Sequence, residues 1–480
     1  MPFCDTLIQN ALVFDGSCVP PTAGNVALER GRIVAVGQCI DYRAEETLDA
    51  GGLALAPGFI DVHTHDDLFV IENPEILPKL SQGVTTVIVG NCGISGAPVD
   101  LKKAGRLPEP LNLLGVEDQF AYPTFQSYVK AVNAARPSIN VAGLVGHTAL
   151  RNNHMDRLDR SATAVEVEAM KRDLRESLDH GALGLSTGLA YASAFEASPE
   201  EVVNLAEPLS DAGGIYTTHM RTEAAAILEA MNEAFNIGAK NNIPIVISHL
   251  KCSGPDNWGR SSEVLSHFMA LSEGQSSGCD CYPYAATSTV LDARQVDERM
   301  DIVVTWSIPF PEMAGKTVRQ VAEGWGVDQF EAAERLRPAG AIYFSLSEDD
   351  MRQILTHPAT MIGSDGLPND PRPHARLWGT FPRVLGHFAR DLKLFSLSEG
   401  VRKMTSLPAE RFGLKDRGWI KEGFAADMVL FDPEKIIDTA TFEDPIQPAA
   451  GIQNVYVNGG LAYTDGKANS SRTGGFLTRA

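Results

Sequence analysis

His63 and His65 stand two residues apart at the end of the apolar run Phe59-Ile60-Asp61-Val62, just past the turn Pro57-Gly58. Side chains alternate along an extended segment, so both imidazoles project from one side and can converge on a single ion. Taken alone, a His-x-His pair is common on solvated loops. Here similar residues close one apolar run after another: Gly90-Asn91-Cys92-Gly93, Gly146-His147-Thr148, His219-Met220-Arg221, His249-Leu250-Lys251-Cys252, Tyr282-Pro283-Tyr284 and Asp365-Gly366. Five histidines, a thiol and a carboxylate at strand ends make a poor apolar core, because each would need a buried hydrogen-bond partner. A thiolate with two imidazoles suits zinc, and an open fourth position makes such a site catalytic rather than structural.

The elements that must carry these groups follow from the apolar runs. Candidate strands lie at 59–62, 85–90, 140–145, 183–186, 215–218, 245–248, 277–282 and 360–364. They read as continuous apolar stretches, as strands of a parallel sheet covered on both faces do. Helical stretches fall between them, such as 164–178, with Val165, Val167, Met170, Leu174 and Leu178 on one face, and 222–240. Eight strand–helix units predict an α/β fold, a (β/α)₈ TIM barrel over about 55–414, whose strand ends meet at one mouth. Pro-rich insertions near 101–124 and 300–340 are expected to cross that mouth. Residues 1–54 and 415–480 read instead as short strands and turns. Neither piece is apolar enough to stand alone, so both termini are expected to form one small β-sandwich domain.

A chain of 480 residues with a formal charge of −20 argues against nucleic acid or an anionic membrane as partner. No run approaches transmembrane length, and no basic region followed by an apolar segment opens the chain. Seven cysteines (Cys4, Cys18, Cys39, Cys92, Cys252, Cys279 and Cys281) are few and odd in number, which favours a reducing cytoplasm over a disulfide framework. Cys279 and Cys281 flank Asp280 on a strand and read as structural filler.

The segments Pro57 to Asp66, Gly90-Asn91-Cys92-Gly93-Ile94-Ser95, Thr218-His219-Met220-Arg221, Ile247-Ser248-His249, Ile362-Gly363-Ser364-Asp365-Gly366 and Pro373 to Pro382 together resemble the D-aminoacylases (N-acyl-D-amino-acid deacylases) of the metal-dependent amidohydrolase superfamily. The resemblance covers essentially the whole chain and implies a barrel plus a small β-sandwich. It implies a tight zinc on Cys92, His219 and His249. It also implies a weaker second divalent site on His63 and His65, with Cys92 and Asp365. Many superfamily members bridge two metals with a carboxylated lysine after the fourth strand. This chain has Leu185-Ser186-Thr187-Gly188 there, which argues against a hydantoinase or dihydroorotase.

The chemistry expected is hydrolysis of a linear amide. Zinc would polarise the carbonyl and acidify a water. Asp365 would take that water's proton and return it to the leaving nitrogen, while His63 or His65 helps stabilise the oxyanion. By resemblance Lys251, Tyr282 and Arg376 hold the α-carboxylate of a small anionic N-acyl-D-amino acid. His147 and Tyr191 are candidates for the acyl side, and Asn91 and Arg221 for orienting ligands. The expected amino acid is D-glutamate. Leu250 stands where broad-spectrum relatives carry a second histidine, and Arg294 is the candidate for the side-chain carboxylate, with Arg299 its competitor. Alternatives are a broad-spectrum or N-acyl-D-aspartate deacylase, an isoaspartyl dipeptidase-like enzyme, or a scaffold without chemistry.

Overall fold

A computed structural model describes residues 2–38 and 40–479; Cys39 lies outside them. Its centre is an eight-stranded parallel barrel. The strands are β1 (Phe59–Asp61), β2 (Val84–Val89), β3 (Asn140–Gly143, continued by Val145–Gly146), β4 (Gly184–Gly188), β5 (Ile215–His219), β6 (Ile245–Ile247), β7 (Ser277–Cys281) and β8 (Thr360–Ile362). Each pairs in parallel with the next, for example Leu185 with Tyr216 and Cys279 with Thr360. The cycle closes where Val62 N–H donates to Ile362 O at 3.5 Å and Thr64 bridges Gly366.

Alternation along the strands explains why these runs are apolar throughout. Ile60, Ile88, Ala142, Val246 and Met361 pack together as one buried cluster, while their neighbours Phe59, Val87, Val89, Val141, Ile245 and Ile362 join a second. One set fills the barrel and the other meets the helices. The helix Ala164–Asp179 is typical of the outer layer. Thr163 caps it and Glu166 completes a capping box, and Val167, Met170, Leu174 and Leu178 are buried. Val165, grouped with that face from the sequence, is instead 79% exposed. The helix expected over 222–240 runs Ile227–Asn241; residues 222–226 form a loop beside the barrel mouth.

A nine-stranded sheet draws on both ends of the chain. Phe3–Val13, Thr22–Glu29, Arg32–Gly37, Arg43–Asp49 and Ala54–Pro57 join Met428–Phe431, Ile452–Val457, Gly460–Thr464 and Lys467–Ala468. The two ends meet where Ala54–Pro57 runs antiparallel to Met428–Phe431. The fold is therefore a (β/α)₈ barrel with a small β domain. Between β7 and β8 the chain builds a separate unit, with strands Thr287–Val290, Ile302–Ser307 and Ala339–Tyr343 and helices Val318–Trp325 and Gln329–Leu336. That unit has its own core around Val304, Val318, Ala332 and Tyr343. Among the described residues no helix is long and apolar enough to cross a membrane.

Candidate active site

The C-terminal ends of the strands bring the polar residues together. His63 and His65 follow β1, Cys92 follows β2, His219 ends β5, His249 follows β6 and Asp365 follows β8. Cys92, His249 and Asp365 have φ of 53°, 36° and 49°. A non-glycine residue in the left-handed region costs free energy, and such positions cluster at functional sites because the turn aims a side chain where regular structure would not. Asn91 secures the first of these turns, its Nδ2 donating to Ile88 O at 2.8 Å and Val62 O at 3.4 Å.

The ligand-type atoms form two groups that share the thiol. Cys92 Sγ lies 3.3 Å from His249 Nε2, which lies 3.0 Å from His219 Nδ1. On the other side Cys92 Sγ is 3.1 Å from His63 Nε2. Asp365 Oδ1 is 3.2 Å from His65 Nε2 and 3.5 Å from His63 Nε2. Within each group, Cys92/His219/His249 and His63/His65/Cys92/Asp365, one ligand atom per residue lies within 4.8 Å of every other. Such sets fit zinc by donor type, a soft thiolate among imidazoles with one carboxylate.

The electrostatics fit the same purpose. Burial would raise the Cys92 thiol, but His63 and His249 outweigh it and hold the thiol well below its ordinary value. Burial would also raise Asp365; Arg376 and then His63 overcome it and keep the carboxyl well below the usual range. His65 and His249 are each pushed up to about 9: burial opposes this, but Asp365 and Cys92 prevail at His65, as Glu223 and Cys92 do at His249. The cluster thus holds protons that a divalent cation would displace on binding.

A cavity of about 250 Å³ opens from this centre and is lined by His65, His219, His249, Asp365, Lys251 and Tyr191, with Thr287–Val290 of the inserted unit as its far wall. Lys251 is buried, its Nζ 2.6 Å from Glu223 Oε1 and 2.7 Å from His249 Nδ1. Tyr282 and Arg376 stand just behind the wall. Arg376 Nη1 is 2.9 Å from Asp365 Oδ2, its Nη2 donates to Ser288 O at 3.1 Å, and its cation lies 4.5 Å over the Tyr282 ring. The Tyr282 hydroxyl and Arg376 Nε are buried without a hydrogen-bond partner among the described residues.

Other expected residues fall differently. Tyr191 lines the cavity, its ring 5.0 Å from that of His219. His147 is not on the cavity wall; its Nε2 pairs with Glu201 at 3.0 Å beneath the helix His147–His154. Arg221 lines the outer cavity and ties loops together through Glu233, Phe195 O and Ala197 O rather than orienting a ligand. Arg294 is at the rim, 66% exposed, with its guanidinium held on Asp292 at 2.6 Å. Arg299 pairs with Asp256 and Asp297 and is not on the wall. Cys279 Sγ is 3.3 Å from Thr360 Oγ1 and, like Cys281, is buried. Burial pushes the Cys279 thiol up to about 12, as inert filler should be.

Three residues escaped the sequence reading. Asp280 accepts from His249 N–H at 2.9 Å and faces His63 Nδ1 at 3.2 Å, fixing two histidines at once. Lys79 is fully buried and donates to Asp61 Oδ2 at 2.8 Å and Ser364 Oγ at 2.7 Å, joining the ends of β1 and β8. Glu223, in the 222–226 loop, contacts both Lys251 and His249. An acid inside a buried strand and a lysine inside the apolar run Ile76-Leu77-Pro78-Lys79-Leu80 are the sequence signals that mark the first two. Glu223 had only its place four residues beyond His219.

Residues 46–463 match the amidohydrolase family. A D-aminoacylase of Alcaligenes xylosoxydans xylosoxydans is 45% identical over 478 residues, covering 100% of this chain and 98% of its own. The chain belongs to the amidohydrolase family. Within that family it sits with the D-aminoacylases, and two further relatives from the same organism are comparably similar. These are an N-acyl-D-aspartate deacylase, 44% identical over 98% of this chain and 95% of its own, and an N-acyl-D-glutamate deacylase, 43% over 99% and 96%. A solved N-acyl-D-glutamate deacylase from Bordetella bronchiseptica, complexed with zinc and a phosphonate mimic of the tetrahedral intermediate, superposes with a TM-score of 0.95. It is 42% identical and covers 99% of this amidohydrolase and 100% of itself. A solved D-aminoacylase with a binuclear metal center, described by one-metal activation and second-metal attenuation, gives 0.97 at 44% identity, over 99% and 100%.

Proposed function

We propose that this amidohydrolase cleaves the amide bond of N-acyl-D-amino acids, giving a carboxylate and the free D-amino acid, and that its preferred substrate is N-acyl-D-glutamate. The observation that carries the reading is the pair of ligand sets sharing Cys92, with Asp365 at their open side and Lys251 on the same cavity wall. Cys92, His219 and His249 would hold one zinc tightly, and His63, His65, Cys92 and Asp365 a second ion weakly. Bound there, zinc would supply polarisation of the acyl carbonyl and acidification of a water.

The chain's own residues supply the rest. Asp365 Oδ1 accepts the proton of the attacking water and delivers it to the leaving nitrogen, a role that needs a carboxylate ionised at neutral pH. Arg376 occupies Oδ2 and leaves Oδ1 turned toward His65 and the cavity. His63 and His65 donate toward developing negative charge on the carbonyl oxygen. Lys251 receives the α-carboxylate, with the Tyr282 hydroxyl and Arg376 Nε as further donors from behind the wall. Arg294, at the rim, would meet a side-chain carboxylate from the solvent side. The unpaired state of the six described cysteines supports a reducing cytoplasm as the place of work.

A D-aminoacylase, an N-acyl-D-aspartate deacylase and an N-acyl-D-glutamate deacylase lie within two percentage points of identity, so substrate choice needs its own experiment. Steady-state kinetics on the N-acetyl derivatives of D-glutamate, D-aspartate, D-leucine and D-methionine, with an isoaspartyl dipeptide alongside, provide it. The proposal expects the highest kcat/KM on D-glutamate; preference for leucine or methionine would sink the acidic assignment, and cleavage of the dipeptide alone would sink the deacylase.

A further inference from the structure

We propose that Glu223 is the positioning residue through which the metal centre and the substrate-carboxylate pocket are joined. Its side chain is 11% exposed and faces three groups with two different tasks. Oε1 lies 2.9 Å from His249 Nδ1 and 2.6 Å from Lys251 Nζ, and Oε2 lies 3.9 Å from His219 Nε2. Two members of one ligand set and the ammonium meant for the substrate therefore lean on one carboxylate. The substrate half of this inference rests on the deacylase reading; the metal half does not.

Tautomer chemistry turns the juxtaposition into a coupling. For His249 to direct the lone pair of Nε2 at the centre, between Cys92 and His219, the ring must carry its proton on Nδ1. Lys251 Nζ is only 2.7 Å from that Nδ1, but an ammonium has hydrogens to give and no lone pair to receive one. Glu223 Oε1 is the acceptor within reach, and it selects the ligand-competent tautomer as carboxylates do behind metal-binding histidines. In that tautomer Lys251 no longer has an acceptor at His249. It stays tethered to Glu223, and the freed hydrogen turns toward the cavity, where the α-carboxylate would sit. In the opposite tautomer Nδ1 accepts from Lys251 and Nε2 is closed to an ion. Glu223 is thus the shared hinge: the contact that holds His249 in its ligand-competent tautomer also leaves Lys251 turned to substrate.

The test uses the full chain as wild type, Glu223→Met, Glu223→Gln, Lys251→Met and the double variant Glu223→Met/Lys251→Met. Zinc affinity is measured by competition with a chromogenic chelator, and KM and kcat on N-acetyl-D-glutamate. Glu223→Met should weaken zinc by roughly 10–100-fold, with Glu223→Gln between it and wild type because the amide keeps one acceptor. Lys251→Met should leave zinc affinity near wild type. KM should rise by about ten-fold in Glu223→Met and rise no further when that change is added to Lys251→Met, the mark of two residues acting as a unit. The zinc defect should persist in the double variant. Melting of the zinc-free proteins separates lost affinity from lost fold, and the milder Gln variant keeps the test open should Met misfold. Wild-type zinc affinity in both Glu223 variants, or KM effects that simply multiply, would overturn the inference. If the wild type hydrolyses no N-acyl-D-amino acid, the function reading has failed and the zinc competition alone decides on Glu223.

Discussion

Arg376→Met removes the guanidinium paired with Asp365. In the fold Arg376 is 1% exposed, with Nη1 2.9 Å from Asp365 Oδ2. Breaking a buried pair by deleting one partner costs about 3–5 kcal/mol, because the remaining charge is left uncompensated. If most of that appears at the reacting carboxylate, kcat/KM falls by roughly 10²–10³. The sign of the pH effect follows from the same contact. Burial raises the Asp365 carboxyl and Arg376 is the foremost group lowering it, so its loss moves that carboxyl up. The ionised fraction, and with it the activity, then fails at higher pH, so the acid limb should climb. The assay is kcat/KM against pH for N-acetyl-D-glutamate and N-acetyl-D-methionine, with near-UV circular dichroism to confirm the fold. Both substrates should lose alike, since neither side chain meets Arg376. A loss confined to KM with an unmoved acid limb would refute the reasoning and reduce Arg376 to a substrate contact.

Arg294→Met should lower kcat/KM on N-acetyl-D-glutamate by only about 2–5-fold and leave N-acetyl-D-methionine unchanged, because an exposed ion pair is worth ~0.2–1 kcal/mol and Asp292 already shares this one; parallel kinetics on the two substrates check it. Glu201 should make the fold acid-sensitive. Burial would raise its carboxyl, but the hydrogen bond to His147 and the cation of Arg151 hold it at about 2, against an ordinary 4.5. A depressed carboxyl stabilises the fold above its unfolded value and loses that contribution as pH falls from 4.5 toward 2, here on the order of 3 kcal/mol. Urea midpoints should therefore fall more steeply below about pH 4.5 in the wild type than in Glu201→Gln.

The barrel was legible because its strands are buried on both faces and read as unbroken apolar runs. The mouth was legible because a polar residue ends each run, as Cys92, His219, His249 and Asp365 do. What escaped notice acts through other residues. Asp280 and Lys79 carry no local pattern of their own; each makes sense only once β1, β6, β7 and β8 are neighbours and His63, His249 and Ser364 lie within reach. Glu223 falls inside the helix expected over 222–240, whose periodicity holds only from Ile227, since nothing in a single sequence marks residues 222–226 as a loop bent toward Lys251. Arg294 shows the converse. A cation near a pocket in sequence reads as a substrate contact, whereas in the fold Asp292, two residues earlier, folds back onto it.

The central claim is that Cys92, His219 and His249 hold a tightly bound zinc beside a weaker site at His63 and His65. Elemental analysis after reconstitution with zinc and exhaustive dialysis tests it most directly. The wild type should keep one zinc per chain, Cys92→Ala should keep none, and His63→Ala should keep nearly all of it while losing activity. A wild type that retains no zinc, or equal loss in Cys92→Ala and His63→Ala, would contradict that division of the site.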